Sequence, residues 1–480
     1  MMADYKTEDF IVLYPGKYTE KEFPAVKKYW EECERINNRG EIDIQALIAG
    51  TLPEDTPGVG PVVPVTETMV KYNHSKYEQE NPLFNDKAYA QAAGFKDIPA
   101  YFTFGAHDDT FTCPYPPEVR DTLLVSQLSH SVEHLADVYA GDTLYLVHDY
   151  RTITDLTPVE GDVHRTLALY EEGSVYNQRG EKVNKVRFTT VESVRIFKEG
   201  KKPEVMGFPE IWEAPEWTKR PEHYYTDDDY EWMKKIWREE TIRGSKPRYW
   251  EDVQIGDKPT PVLEGPIIES VLPTAPYGMG IGGTRTMKKE ILNEAVFKTM
   301  HKREKDGIYV LNDKKAYTPP IPEGTQVVML FDDGRRTDED EAEGAVNTAD
   351  IHSVGDSRAA IINFYGRDVA IHHINNWMGD AGRIANISWS IMCRETHEAY
   401  GKPVPLSPNF KYYLRQAPSM KDKLMDSHGL TNDVAFVQSE VVDKYVKNGK
   451  YIAKLIWWIE EITGAIWIEG SAEVELPHRS

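Results

Sequence analysis

Side chains that could exchange a proton with a substrate are concentrated between residues 347 and 382. The stretch begins as a polar, loop-like segment and continues as a predicted helix, on which Ile371, Ile374, Trp377 and Met378 recur at spacings of three and four. This periodicity predicts one apolar helix face, with the ionisable residues on the other faces. An imidazole and a carboxylate that share a water molecule can act as general base and general acid. The candidate catalytic residues are Asp350, His352, Asp356, Asp368 and His373.

The same stretch does not predict a metal centre. His372 and His373 are adjacent, so on a helix their side chains point apart, and no third histidine lies nearby to complete a ligand set. The glycine-rich segment 278–283 does not lie between a strand and a helix of a βαβ unit, so a nucleotide-binding loop is not expected. Arg285 is a candidate contact for a substrate phosphate, with a solvated cationic patch as the alternative. The sequence therefore predicts no metal and no cofactor.

The bulk properties exclude several classes of protein. The 480 residues carry a formal charge of −22, which argues against a nucleic-acid partner because such a partner requires a basic face. The three cysteines are far apart and form no CxxC pair, as expected for a reduced, intracellular protein. The first residues lack the pattern of a signal peptide, and no apolar run is long enough to span a membrane. We expect a soluble cytoplasmic protein.

The order of predicted elements indicates an α+β protein built from two copies of one unit. Each copy ends in alternating strands separated by a glycine turn, at Gly180 in the first copy and Gly464 in the second. The expected organisation is a helical extension at 1–50, a first module at 51–201, a connector that lies over both modules at 202–249, and a second module at 250–480. The second module contains an insertion at about 272–344.

Six motifs together resemble the MaoC-like dehydratase and R-specific enoyl-CoA hydratase family, and above all its two-module members. They are ENPLFNDKAYAQAAGF, VYAGDTLY, YNQRGEKV, PRYWEDVQIGD, NNWMGDAG and GSAEVELP, in the order of the family. The resemblance implies a double hot-dog fold, in which antiparallel sheets each wrap a long helix. It also implies an acyl-CoA substrate, reversible hydration of the double bond next to the thioester carbonyl, and a homodimer or larger homo-oligomer.

The signature of the resembling family is an aspartate followed five positions later by a histidine, in a loop before the central helix. In the first module Gln79 and Phe84 occupy these positions, and neither side chain can transfer a proton. We therefore assign the first module to binding or to structure. The departure also keeps open a catalytically silent acyl-CoA-binding or scaffold subunit. A thioesterase stays open as well, because the hot-dog folds of the resemblance also hydrolyse acyl thioesters.

The second module allows two registers. In the first register, His352 takes the imidazole position and Asn347 replaces the aspartate, so that Asp350 or Asp356 supplies the carboxylate. This register is favoured because NNWMGDAG then follows the helix as in the family, with Tyr365-Gly366 at the family's His-Gly step. The candidate substrate-binding residues are Tyr365, Gly366, His372 and Arg285.

In the second register, Asp368 and His373 have the five-residue spacing within the helix. Five helical positions correspond to a rotation of about 500°, so these two side chains do not face each other well, whereas Asp368 and His372 share a face. Many aromatic residues in the second module suggest a bulky or cyclic acyl group. They are Trp377, Trp389, Trp457, Trp458 and Trp467.

Overall fold

The structure is a computed structural model. It describes residues 2–3, 18–19, 22–104, 120–155, 164–196, 220–267, 287–311, 363–391, 413–423, 425, 427, 429–430 and 432–479. None of the helices in these ranges is both long and apolar enough to cross a membrane. The expected insertion at 272–344 falls within the described residues only at 287–311.

Long antiparallel strands surround one long buried helix. The strands are β1 (Met2–Ala3), β2 (Tyr18–Thr19), β3 (Val59–Pro64), β4 (Arg120–His134), β5 (Thr143–Asp155), β6 (His164–Asn177), β7 (Lys182–Ile196), β8 (Val262–Glu264), β9 (Met300–Lys302), β10 (Tyr309–Leu311), β11 (Arg383–Ser390), β12 (Ala435–Lys447), β13 (Lys450–Glu460) and β14 (Ile466–Glu475). The helices are α1 (Glu22–Asn38), α2 (Ile44–Ile48), α3 (Glu67–Tyr77), α4 (Lys87–Ala92), α5 (Asp227–Glu239), α6 (Met287–Leu292), α7 (Glu294–Phe297) and α8 (Asn363–Met378).

The two halves of the chain form one sheet of ten strands, in the order β3-β5-β6-β7-β4-β11-β14-β13-β12-β8. Five strands come from each copy of the unit, as the double hot-dog expectation requires. The sheet expected in each half is continuous with that of the other half, because β4 pairs with β11. This pairing leaves neither strand with an unpaired edge, which would otherwise invite aggregation.

A stack of three rings holds the junction of the two halves together. His130 of β4 lies opposite Trp389 of β11 in the strand register, and their rings stack at 4.9 Å. The other face of the His130 ring stacks on Phe188 of β7 at 5.3 Å. Burial lowers the pKa of His130 to about 3, so this imidazole is neutral and packs as an aromatic ring.

Helix α8 is enclosed by the second half of the sheet, with contacts to β8 and to β11 through β14, and it also contacts α3 of the first half. Every residue from 365 to 378 is buried, so the polar faces of the helix are enclosed along with its apolar face. A helix enclosed on all sides must provide each polar side chain with a buried partner. Tyr365-Gly366, expected to precede the helix, lies in its first turn. The helix ends before Gly379, whose φ of +74° is the left-handed conformation common after a helix C-terminus.

Short capped helices and turns complete the first half and the connector. Thr66 caps α3 and Asp86 caps α4, through side-chain oxygens that accept backbone N–H groups. Between them Asn81 caps the 3-10 turn Pro82–Phe84 in the same way. In the connector, Thr226 begins α5 as part of a capping box. The caps of the first half, at Thr66, Asn81 and Asp86, hold the turn that carries the family's signature positions.

Candidate functional site

Four of the residues singled out from the sequence lie outside the described residues: Asp350, His352 and Asp356 of the favoured register, and Arg285. The structure therefore does not test the favoured register. The remaining candidates all lie on α8 and can be placed.

Asp368 and His373 each have a partner of their own. The Asp368 carboxylate accepts a hydrogen bond from Arg367 Nε at 2.8 Å. His373 Nε2 lies 2.8 Å from Ser439 Oγ on β12, and burial lowers the pKa of His373 to about 3. Within the described part of the chain no hydrogen bond joins the two side chains, and both are almost fully buried. The five-residue spacing thus does not form an acid–base pair in this structure.

Through Tyr365 and Gly366 the first turn of α8 packs against α3 and against the sheet. The Tyr365 ring meets Tyr77 of α3 edge to face at 5.8 Å, and its hydroxyl has no hydrogen-bond partner among the described residues. A Cβ at Gly366 would lie 3.1 Å from Ile468 Cδ1, so the glycine allows the helix to approach the sheet closely.

The most developed polar cluster at α8 is centred on His372. Its Nδ1 lies 3.1 Å from Glu78 Oε2, in the residue that follows α3, and its Nε2 lies 2.9 Å from Glu240 Oε1, at the end of α5. Lys288 of α6 donates to the other Glu240 oxygen at 2.7 Å. Asn375 donates to Glu78 Oε1 at 2.8 Å. The cluster links the first half, the connector, the insertion and the central helix of the second half.

The charged groups of this cluster keep one another ionised. Burial alone would lower the pKa of His372, but Glu78 and Glu240 outweigh it and raise the pKa to about 10. Burial would raise the pKa of Glu240, but hydrogen bonds and charges from His372 and Lys288 lower it to about 2. The pKa of Glu78 is also lowered, against the effect of burial, chiefly by His372. At neutral pH the cluster therefore holds two carboxylates and two cations.

The partners of His372 have no signature in the sequence because the members of the cluster are distant along the chain. Glu240 lies 132 positions from His372, and Glu78 lies 297 positions from Asn375. One local signal was available, since Glu78 directly precedes the signature position Gln79.

The two signature positions of the first module face different surroundings. Gln79 is exposed, and its side chain donates to the backbone oxygen of Ser75. Phe84 is buried and packs edge to face on Tyr101, with ring centroids 5.7 Å apart. The turn between them keeps its Asn81 cap, so the signature backbone is retained without the proton-transferring side chains.

Phe84 lines a pocket of about 60 Å³ between the two halves. One wall comes from the signature turn and the segment after α4, and the other comes from α8 and the start of β11. Most of the lining is apolar or aromatic, while His134, Asp137 and Arg383 form a charged corner. Apolar lining residues include Leu83, Phe84, Phe95, Phe102, Ile371 and Met378.

A second, polar cleft lies on the other side of the Glu78–His372 contact. Its lining includes Gln79, Glu240, Lys288 and His372, together with Glu264 of β8. Burial raises the pKa of Glu264 to about 8, and its Oε2 has no hydrogen-bond partner among the described residues. The interface of the two halves thus contains an apolar pocket and a charged cleft side by side. Among the described residues, no group of three or more His, Cys, Asp or Glu side chains could hold a metal ion.

Comparison with known proteins gives one family and several solved structures. Residues 62–186 match the model described as FAS1-like, dehydratase domain region. No curated protein matches the chain. A putative MaoC domain protein dehydratase from Chloroflexus aurantiacus J-10-fl is 14% identical, with 88% of this chain and 95% of that chain covered and a TM-score of 0.41. A structure named MaoC-like dehydratase is 12% identical, covering 88% and 97% with a TM-score of 0.43.

A third structure, from Mycobacterium tuberculosis and described as having a double hotdog fold, is 9% identical. It covers 87% of this chain and 93% of that chain, with a TM-score of 0.39. The matched region 62–186 contains the signature turn and most of the first half of the sheet. The family match confirms the resemblance to the MaoC-like dehydratases that the sequence motifs indicated.

Proposed function

We propose that the chain is an acyl-CoA hydratase or dehydratase, which adds or removes water at the double bond next to the thioester carbonyl. The observation that carries the proposal is the pocket between the two halves, together with the dehydratase-region match of the segment that supplies one of its walls. A mostly apolar pocket with a few polar groups suits an acyl chain that must be oriented at one end.

The proposed acyl group is bulky or cyclic. The tryptophans that suggested this from the sequence include Trp389, Trp457 and Trp467, which are buried in the core of the sheet. Aromatic side chains do line the pocket, however, and these support the proposal in their place. They are Phe84, Phe95, Tyr101 and Phe102.

The thioester oxygen gains negative charge when water attacks the β-carbon. Backbone N–H groups at a helix N-terminus have no partner within the helix, and the helix dipole favours an anion there. Tyr365 and Gly366 in the first turn of α8 stay predictions from the sequence for substrate contact. On the chain before α8, His352 with Asp350 or Asp356 stays the prediction from the sequence for the acid–base residues.

The test is turnover of a panel of linear, alicyclic and aromatic enoyl-CoAs by the full-length protein, with water addition followed by mass. We expect hydration, with ring-bearing substrates preferred over short linear ones. Faster turnover of the short linear substrates would refute the proposed acyl group. Absence of hydration and dehydration across the panel would refute the proposed reaction.

A silent acyl-CoA-binding subunit is the second candidate, because Gln79 and Phe84 leave the signature turn without a proton-transferring group. The same panel separates the candidates. Tight acyl-CoA binding without product would favour the silent subunit, and release of free CoA would favour a thioesterase.

A further inference from the structure

The charged corner of the apolar pocket contains an imidazole and a carboxylate close together. His134 is the last residue of β4, and Asp137 follows in the loop after that strand. His134 Nε2 lies 3.4 Å from Asp137 Oδ1. Both residues line the pocket and are only slightly exposed, with 11% and 17% of their side chains accessible. An imidazole beside a carboxylate can supply the proton transfers by which water adds to a conjugated double bond.

The sheet junction holds the carboxylate of this pair in place. Arg383 begins β11, the strand that pairs with β4, and its guanidinium donates to Asp137 Oδ1 at 2.7 Å. The Tyr139 hydroxyl donates to Asp137 Oδ2 at 3.3 Å. Burial would raise the pKa of Asp137, but His134 and Arg383 outweigh it and lower the pKa, so the carboxylate is ionised. An ionised, doubly anchored carboxylate can orient the imidazole beside it.

An aromatic ring also packs against the imidazole. Phe102 lies against the His134 ring, with the centroids 5.3 Å apart. Phe84, which occupies the family's imidazole position, lines the same pocket. The pocket therefore has an imidazole that comes from the end of β4 and not from the signature turn.

We propose that His134 is the acid–base residue for substrate in this pocket, that Asp137 is its positioning residue, and that the pair replaces the imidazole absent at Phe84. The inference rests on the proposed hydratase function. It names a different site for the chemistry than the segment before α8.

In the proposed reaction one imidazole acts twice, first as the general base and then as the general acid. His134 takes a proton from water while the water oxygen bonds to the β-carbon of the enoyl thioester. The electron pair of the double bond moves toward the thioester carbonyl, and the resulting enolate takes the proton back from the imidazolium at the α-carbon. One water is added, and the His134–Asp137 pair returns to its starting state. Dehydration follows the same steps in reverse.

The test uses the full-length protein and the enoyl-CoA on which wild type is most active. For His134→Gln we expect kcat to fall by about 100-fold or more, the usual contribution of one general acid–base group, with little change in KM. For His134→Ala we expect added imidazole to restore part of the activity, which the loss of a structural side chain would not allow. A kcat for His134→Gln within threefold of wild type would overturn the inference.

The positioning role of Asp137 has its own readout. Asp137→Asn should lower kcat with KM unchanged, and Asp137→Glu should recover most of the loss. Because the two residues act as a unit, the double variant His134→Gln/Asp137→Asn should be no slower than His134→Gln alone. Multiplicative losses in the double variant would show that the residues act separately and would refute the pairing.

His223 provides a matched control, because it also faces a carboxylate, with Nε2 3.0 Å from Asp229 Oδ2, but it does not line the pocket. His223→Gln should leave kcat unchanged. The outcomes also separate this inference from the proposed function. An inactive wild type would refute both, whereas an active His134→Gln together with an inactive His352→Ala would refute the inference alone and support the segment before α8.

Discussion

Replacing His372 by Gln should destabilise the protein in a way that depends on pH. His372 lies between Glu78 at 3.1 Å and Glu240 at 2.9 Å, and at most 5% of each of the three side chains is exposed. Glutamine has nearly the size of histidine but no charge. The variant therefore leaves two carboxylates in the interior with one cation fewer, and an uncompensated buried charge is among the most costly changes in a protein.

The magnitude follows from the pKa of the imidazole. A rise from 6.5 to about 10 corresponds to about 5 kcal/mol, since each pKa unit equals about 1.4 kcal/mol. Removing one partner of a buried pair costs about 3–5 kcal/mol in other proteins. In the variant Glu78 keeps its hydrogen bonds from Tyr101 and Asn375, and Glu240 keeps Lys288. We therefore expect His372→Gln to lower the free energy of unfolding by about 3 kcal/mol at pH 7, the lower end of this range.

The pH dependence has a definite sign. The folded-state pKa of His372 is above the unfolded value, so the stabilisation is complete below pH 6.5 and is lost as pH rises from 6.5 to about 10. The free energy of unfolding of wild type and His372→Gln should therefore differ most at pH 6–7 and converge near pH 10. Urea unfolding followed by tryptophan fluorescence at intervals between pH 6 and pH 10 measures this difference.

The neighbouring His373 is a matched control on the same helix. It is equally buried, but its pKa is lowered to about 3, so the folded protein contains it as a neutral ring at every pH of the series. His373→Gln should change the free energy of unfolding by the same amount from pH 7 to pH 10. If the loss in His372→Gln is below about 1 kcal/mol, or does not shrink toward pH 10, the ion cluster is not held by a protonated His372.

Three further predictions concern single residues. Gly470→Ala should lower the free energy of unfolding by about 1–3 kcal/mol, because a Cβ there would lie 2.3 Å from the Ser388 carbonyl oxygen; urea unfolding measures it. Glu264→Gln should raise the thermal midpoint by about 2–4 °C at pH 9 and leave it nearly unchanged at pH 5. The pKa of Glu264 is about 8 in the folded protein, above its value of 4.5 in the unfolded chain. The stabilisation from the protonated carboxyl is therefore complete below pH 4.5 and is lost as pH rises to 8. Equal midpoints of wild type and variant at pH 9 would contradict the prediction. Cys33 should resist iodoacetamide in the folded protein at pH 8, as read by peptide mass, because burial raises its pKa to about 12.

The sequence predicted the repeat of the architecture because repeats leave local signals. Alternating strands and their glycine turns recur in both copies, and Gly180 and Gly464 adopt positive φ angles of +78° and +92° in the turns expected for them. The joining of β4 to β11 could not be predicted in this way. Both strands alternate apolar and polar residues, as any half-buried strand does. No local feature of the sequence indicates which strand edges pair.

The candidate site was harder to predict than the fold because its contacts are formed between distant segments. Helical periodicity gave an apolar face for α8 and placed His372 and His373 among its polar residues. It could not show that the polar residues are also buried, since the partners of His372 come from α3 and α5. Asp368 and His373 have the spacing of the signature, but spacing along a helix does not determine contact, and each has a different partner.

The division of the interface into a charged cleft and an apolar pocket follows from the pairing of charges. Glu78 and Asn375 are hydrogen-bonded at the boundary, and Asn375 also lines the pocket. On the cleft side the carboxylates of Glu78 and Glu240 are compensated by His372 and Lys288. An acyl group can then enter the pocket without displacing an unpaired ion. The same charges keep His372 protonated, and an imidazolium with a pKa of about 10 does not accept a proton from water at neutral pH.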